Sequence, residues 1–213
     1  MSTRPVRPRR ASSNVVERLL DAADTYFFIE GVLATPIDVI LRAAEASPPS
    51  LYKHFGSKDG LITAALRRRL AVWDAVWAAE IAASDGPLER VLAVYPAMRR
   101  YQRHHLPEKW CAFSGTRAAI AVRSEALQAV LDEETALLRN RHGELVAELG
   151  LGEAASKRLA RQLVVVYNGQ LAQMLRDPYE EAIEESEATA RTLVSMALAQ
   201  RTDERTAERS AEG

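Results

Sequence analysis

The chain has 213 residues, 47% hydrophobic and 27% charged, with only 6% aromatic, as expected for one or two folded domains with a sizeable core. Its net charge of −1 hides an asymmetry: residues 1–69 hold 11 Lys and Arg against 7 Asp and Glu, and residues 70–213 hold 17 against 22, so a basic front that meets a polyanion sits on an acidic body. The single cysteine, Cys111, excludes an intrachain disulfide framework and a cysteine-rich metal site; no apolar run approaches the roughly 20 residues of a membrane span, and the N-terminus lacks the apolar core of a signal peptide, so a cytoplasmic protein with no membrane partner is expected.

Residues 1–12 form a basic arm with Arg4, Arg7, Arg9 and Arg10, two prolines and no carboxylate. On composition alone it is either a polyanion contact or a solvated tail. From Val15 the pattern turns helical, with Val16, Leu19, Leu20, Ala23 and Phe27 on one face, Asn14 as cap and Gly31 at the end. A second helix starts at Thr35-Pro36, threonine as cap and proline in the first turn, and runs to about Ala46.

Ser47-Pro48-Pro49-Ser50 then opens a short helix to about Phe55. Ser47 caps it, and the prolines fill positions whose N–H groups have no helical partner. Leu51 and Phe55 anchor it, Ser50, Lys53 and His54 face outward, and Tyr52 lies at the edge. Gly56-Ser57 ends it, and a long helix from Lys58 to about residue 82 carries Leu61, Ile62, Ala65, Leu66, Trp73 and Trp77. Later helices are predicted at 87–105, 108–122, 125–149, 153–176 and 179–201, with a polar, frayed tail at 202–213. No alternating strand pattern of useful length occurs, so the fold class is all-α.

Three short helices with a tight turn before the third make a helix-turn-helix, in which the second helix of the pair enters the major groove. Tyr52, His54 and Lys58 can donate to phosphates, which sets register and affinity rather than sequence choice.

Over about residues 15–66, and above all at Ser50-Leu51-Tyr52-Lys53-His54-Phe55 followed by Ser57-Lys58-Asp59-Gly60-Leu61, the sequence resembles the tetracycline-repressor (TetR) family of transcriptional regulators. The resemblance implies an all-helical homodimer. Its N-terminal domain would bind a palindromic operator in double-stranded DNA, its C-terminal domain would hold a small-molecule inducer, and two helices near the C-terminus would form the interface, here residues 153–201. The expected division is a basic arm at 1–12, a DNA-binding domain at 13–58, a connecting helix at 59–82, a ligand-binding and dimerisation domain at 83–201 and the tail at 202–213. The DNA-binding set is Arg4, Arg7, Arg9, Arg10, Thr35, Ser47, Pro48, Pro49, Ser50, Tyr52, Lys53, His54 and Lys58. Two positions depart from the family pattern. The turn reads Ala44-Glu45-Ala46 where glycine is usual, so either Glu45 is left-handed or the turn differs. Pro36 stands where a hydroxyl residue is often found after Thr35.

Aromatic and methionine residues share helix faces in the C-terminal part: Trp73, Trp77, Tyr95, Met98, Trp110, Phe113, Tyr167 and Met174, with Gln170 nearby. Each can be ordinary core; as a set they suit an apolar or planar aromatic ligand. His104, His105, Arg117, Asn168 and Gln173 are further polar candidates. His104-His105 point about 100° apart on a helix and no constellation completes a tetrahedral site, so no metal and no cofactor are expected. The chain has no HExxH, no Glu-x-x-His pair, no Gly-rich phosphate loop and no nucleophile elbow, and is not expected to be an enzyme. The expected function is a repressor released from its operator by an apolar or aromatic inducer; the alternative is a DNA-binding regulator without a small-molecule ligand, controlled by a protein partner or constitutive.

Overall fold

The structure, a computed structural model, describes residues 14–105 and 110–211, with side chains described through residue 202. Among the described residues the regular elements are all helical: α1 (Val15–Thr25), a π-helical turn (Tyr26–Gly31), α2 (Ile37–Ala43), α3 (Pro48–Phe55), α4 (Lys58–Ala82), α5 (Gly86–Leu92), α6 (Val94–His104), α7 (Ala112–Ala119), α8 (Glu125–Ala147), α9 (Glu153–Gln173) and α10 (Tyr179–Ala211). They fall into two compact units, one ending at Arg68 but including Ala112–Val130, the other made of Arg69–Cys111 and the chain from Leu131 onward.

In the first unit the periodic apolar positions do what their spacing predicts. Leu19, Ala23 and Phe27 of the first helical stretch are buried, as are Ile40 of α2, Leu51 of α3 and Leu61, Ile62, Ala65 and Leu66 of α4. The Asn14 side chain accepts the Val16 N–H at 2.9 Å and starts α1. The basic side chain at the end of this stretch of α4 is held by acids of α1: Arg68 bonds Asp21 at 2.8 Å and also pairs with the buried Asp24. Burial opposes the guanidinium charge, but the two carboxylates outweigh it and the pKa rises.

Two expectations for this unit are corrected. Thr35 does not cap α2; Pro36 is the cap residue, while the Thr35 hydroxyl turns back to the carbonyls of Tyr26 (3.0 Å) and Gly31 (2.9 Å). Residues 112–130 do not join the C-terminal unit. α7 packs on the π-helical turn, and the Ser124 N–H donates to Asp59 at 3.4 Å.

In the second unit α10 lies along α9 and against α6 and α5, with Arg99–Glu187 (2.7 Å) and Arg191–Glu89 (2.9 Å) joining α10 to α6 and α5. The expected single helix at 87–105 is two helices that meet at Ala93. Pro96 explains the break: inside a continuous helix its ring would clash with the preceding turn and leave the Leu92 carbonyl without a donor, whereas in the first turn of α6 its missing N–H costs nothing. The region predicted as a tail is helical backbone as far as Ala211. Its Ala, Arg and Glu residues are good helix formers and no Gly or Pro interrupts them.

Candidate functional site

α3 is built as its sequence predicts. Ser47 Oγ accepts the Ser50 N–H at 3.4 Å, and Pro48 and Pro49 hold the first two positions. Leu51 points into the core, and Tyr52, Lys53 and His54 are exposed. Tyr52 keeps 61% of its surface in solvent, which rules out a core role for it in this unit. Ser47, Pro48 and Pro49 are also exposed, while Ser50 and Phe55 are half-buried. The helix therefore presents one continuous polar and basic face. Gly56, at φ +74, ends it and donates its N–H to the Tyr52 carbonyl at 3.0 Å.

The turn before α3 is a Schellman closure. The Ala46 N–H reaches back to the Leu41 carbonyl (2.9 Å) and the Glu45 N–H to the Arg42 carbonyl (3.2 Å). Glu45 occupies the left-handed position at φ 47, the sole non-glycine with positive φ among the described residues. Of the two options open from the sequence, Glu45 takes the left-handed one. Arg18, which sequence reasoning missed, secures this turn from α1. Its Nε donates to the Ala44 carbonyl at 2.8 Å, and its Nη2 lies 3.4 Å from the Glu45 carbonyl.

Two members of the expected DNA-binding set are tied up inside the fold. Thr35 is buried with its hydroxyl on backbone carbonyls. Lys58 donates to the carbonyls of Val32 (3.0 Å) and Thr35 (2.7 Å), and its ammonium lies over the Phe27 ring. Burial lowers its pKa. Lys58 thus ties the start of α4 to the connection between the π-helical turn and α2, with two of its three donors already used. Arg4, Arg7, Arg9 and Arg10 lie outside the described residues.

Gly60 explains why the Ser57-Lys58-Asp59-Gly60 run contains a glycine inside a helix. A Cβ there would stand 1.8 Å from the Phe55 carbonyl oxygen. The end of α3 and the start of α4 can meet this closely only without a side chain. The Gly60 N–H is bonded to Ser57 Oγ at 3.0 Å, which caps α4.

In the second unit Trp73 contacts Trp77 (ring centroids 5.7 Å), Tyr101 (5.7 Å) and Tyr167 (6.1 Å, stacked). His142 of α8 lies against Trp77 at 5.1 Å and Tyr167 at 6.5 Å. His142 was missing from the residues expected to line a ligand, although its place one turn from Leu138 on an apolar stripe was the available signal. Its Nδ1–H donates to the Leu138 carbonyl at 2.9 Å, and burial holds its pKa down at about 4. Tyr95, Met98, Gln170 and Met174 are buried in the same unit, and burial raises the Tyr95 pKa. Trp110 is half-buried there, whereas Phe113 belongs to the first unit. Of the remaining polar candidates, His104, His105, Asn168 and Gln173 are exposed and Arg117 is half-buried. Among the described residues no group of three His, Cys, Asp or Glu could hold a metal ion, and no helix is long and apolar enough to cross a membrane.

A short helix with a polar, basic outer face, started by Ser-Pro-Pro and seated on α1 and α2 through a left-handed turn, defines a helix-turn-helix protein. Residues 19–65 match the family model of bacterial regulatory proteins, tetR family. The chain is 32% identical over 102 residues to the HTH-type transcriptional repressor BdcR of Escherichia coli strain K12, a match covering 47% of this chain and 50% of that protein. The match thus spans about half the length of that curated relative. The fold is similar to that of SCO4454, a TetR-family transcriptional regulator from Streptomyces coelicolor, with TM-score 0.76 and 24% identity over 86% of this chain and 96% of that one. It is also similar to the reduced form of E. coli NemR, with TM-score 0.68 and 19% identity over 84% of this chain and 97% of that one. The helix-turn-helix segment of this chain, residues 19–65, is thus of the type found in bacterial regulatory proteins of the tetR family.

Proposed function

We propose that this protein is a DNA-binding transcriptional repressor that holds a palindromic operator as a homodimer and releases it when a small, largely apolar or aromatic inducer binds the second unit. The observation that carries the reading is the exposed face of α3, where Tyr52, Lys53 and His54 project from a helix whose opposite side is anchored by the buried Leu51. Such a face inserts into a major groove, with Ser47 and Ser50 at its N-terminal end near the base edges and the basic residues on phosphates. The relative's description as a transcriptional repressor supports repression rather than activation.

Dimerisation through α9 and α10 is supported by apolar side chains left in solvent there: Val165 at 69% exposure and Met196 at 56%. A second copy of the same pair of helices would bury them in an isologous four-helix bundle. To read successive major grooves, the two α3 helices of such a dimer would have to lie about 34–36 Å apart, one DNA turn. Inducer coupling is supported by α4 itself, which supplies Lys58 and Leu61 to the first unit and Trp73 and Trp77 to the second. A ligand against those tryptophans would tilt α4 and change the spacing of the two α3 helices.

The test is fluorescence anisotropy with duplexes taken from the DNA flanking the protein's own coding region, at low and moderate salt. Salt-dependent, saturable binding that Tyr52→Ala weakens on every sequence is expected. Failure to retain any of those duplexes better than unrelated DNA would overturn the reading.

A further inference from the structure

α9 and α10 pack along each other and are joined by residues 174–178 alone, so they run antiparallel. One side of α9 is held in the fold by Leu159, Leu163, Tyr167 and Leu171. On the opposite side Arg158, Arg161 and Val165 follow one another at helical spacing, all exposed. The exposed side of α10 carries Glu181, Glu185 and Met196, and Leu175 in the connection is more than half exposed. Neighbouring charges are already in use: Lys157 pairs with Glu153 and Glu180 with Arg103, each at 2.5 Å. Arg158, Arg161, Glu181 and Glu185 have no such partner among the described residues of their own chain. Distance along the hairpin decides what a second copy meets. Counted from Arg176 in the connection, Leu175 lies 1 residue along, Glu181 5, Glu185 9, Val165 11, Arg161 15, Arg158 18 and Met196 20, at about 1.5 Å per residue. A two-fold axis through Val165 reverses that order and leaves Val165 level with itself. It puts Met196 of the second copy level with Leu175, and Arg158 of the second copy level with Glu181, each to within about one residue; Arg161 falls level with Glu185 to within about two. The apolar pair and both charged pairs thus agree on one axis, although none of them was used to place it.

We infer that this face takes a second copy of the chain in the register set by Val165 on Val165, and that Arg158 and Arg161 of each copy pair with Glu181 and Glu185 of the other. This deepens, and rests on, the homodimer reading above. Ion pairs at the edge of such an interface add little affinity, because water and salt screen them. Their effect is on the choice of partner. A helical hairpin of the same shape but another charge order sets like charges opposite one another at both ends of the interface, and that repulsion exceeds what the pairs themselves contribute. The same repulsion acts on a second copy docked in the wrong register. The charges therefore restrict the chain to its own copy, in one alignment.

The test is a charge exchange between two full-length variants, Arg158→Glu/Arg161→Glu and Glu181→Arg/Glu185→Arg. All four positions are exposed, and Glu and Arg are similar helix formers, so the fold is kept. By sedimentation equilibrium each variant alone should dimerise about tenfold or more weakly than the wild type, and the deficit should shrink at high salt. Mixed, the two should regain wild-type association, because every reversed charge then faces the opposite sign. Native mass spectrometry should find heterodimer well above the roughly one half that random pairing gives. The inference is overturned if either variant alone dimerises as tightly as the wild type, if the mixture pairs at random, or if the mixture stays monomeric. Arg161→Glu mixed with Glu185→Arg repeats the exchange with one charge per chain, and decides the matter if a doubly substituted chain fails to fold. A wild-type chain that is monomeric at micromolar concentration sinks the homodimer reading itself. A wild-type dimer indifferent to the exchange sinks only the charge pairing.

Discussion

The guanidinium of Arg18 donates to the carbonyl of Ala44 at 2.8 Å, across 26 residues of sequence, and so fixes the one turn on which the orientation of α3 depends. The residue after Ala44, Glu45, is left-handed at φ 47, where a side chain costs roughly 1–2 kcal/mol relative to the right-handed region.

Glu45→Gly should therefore raise stability by about 0.5–1 kcal/mol, the relieved strain exceeding the added chain entropy. Arg18→Ala should lower it by about 1–3 kcal/mol by leaving the Ala44 carbonyl without its donor. Urea unfolding checks both. A destabilised Glu45→Gly would mean that its side chain, not its backbone, serves the turn.

Lys53 and Lys58 should separate cleanly. Lys53→Ala should cut the salt dependence of DNA binding by about one phosphate contact and leave unfolding unchanged. Lys58→Met removes the ammonium held by the Val32 and Thr35 carbonyls and should cost about 1–3 kcal/mol of stability, with little change in salt slope. Equal slope changes in the two variants would return Lys58 to the DNA contacts.

His142 makes stability fall on mild acidification. Its folded pKa is depressed, from 6.5 to about 4, so the unfolded chain takes up the proton first. The contribution is fully present above pH 6.5 and is lost as pH falls toward 4. Between pH 7 and pH 5 the loss is about 2 kcal/mol. Denaturant titrations of wild type and His142→Gln at the two pH values check it: the variant should lose that part of the slope.

The proposed interface on α9 and α10 is tested by charge. Val165→Glu or Met196→Glu should give folded monomers by light scattering, with operator affinity sharply reduced. Leu163→Glu is a different experiment, because Leu163 is only 2% exposed within its own chain and the substitution should unfold the second unit instead. A dimer that survives both exposed substitutions places the interface elsewhere.

Much of the first unit was legible because its signals are local. Asn14 two residues before Val16, Ser47 before two prolines, and Gly56 after Phe55 each mark a helix end through a neighbour in sequence. The roles of Arg18 and Lys58 were not legible, because their partners lie 23–27 residues away and are backbone carbonyls, which carry no sequence identity. Thr35 misled for the same reason: the residue type suits a cap, but the carbonyls of Tyr26 and Gly31 claimed its hydroxyl. In the second unit the aromatic positions were visible, but their mutual packing and the burial of His142 and Gln170 follow from how helices far apart in sequence come together.

The contact at Gly60 has a mechanical consequence. With the Phe55 carbonyl filling the space where a side chain would stand, α3 and the first turns of α4 cannot slide past each other. They form a rigid elbow with no joint at the bend. Any swing that shifts the grip on DNA must turn this elbow as one body, and a Gly60→Ala chain would have to unseat α3 to fold at all.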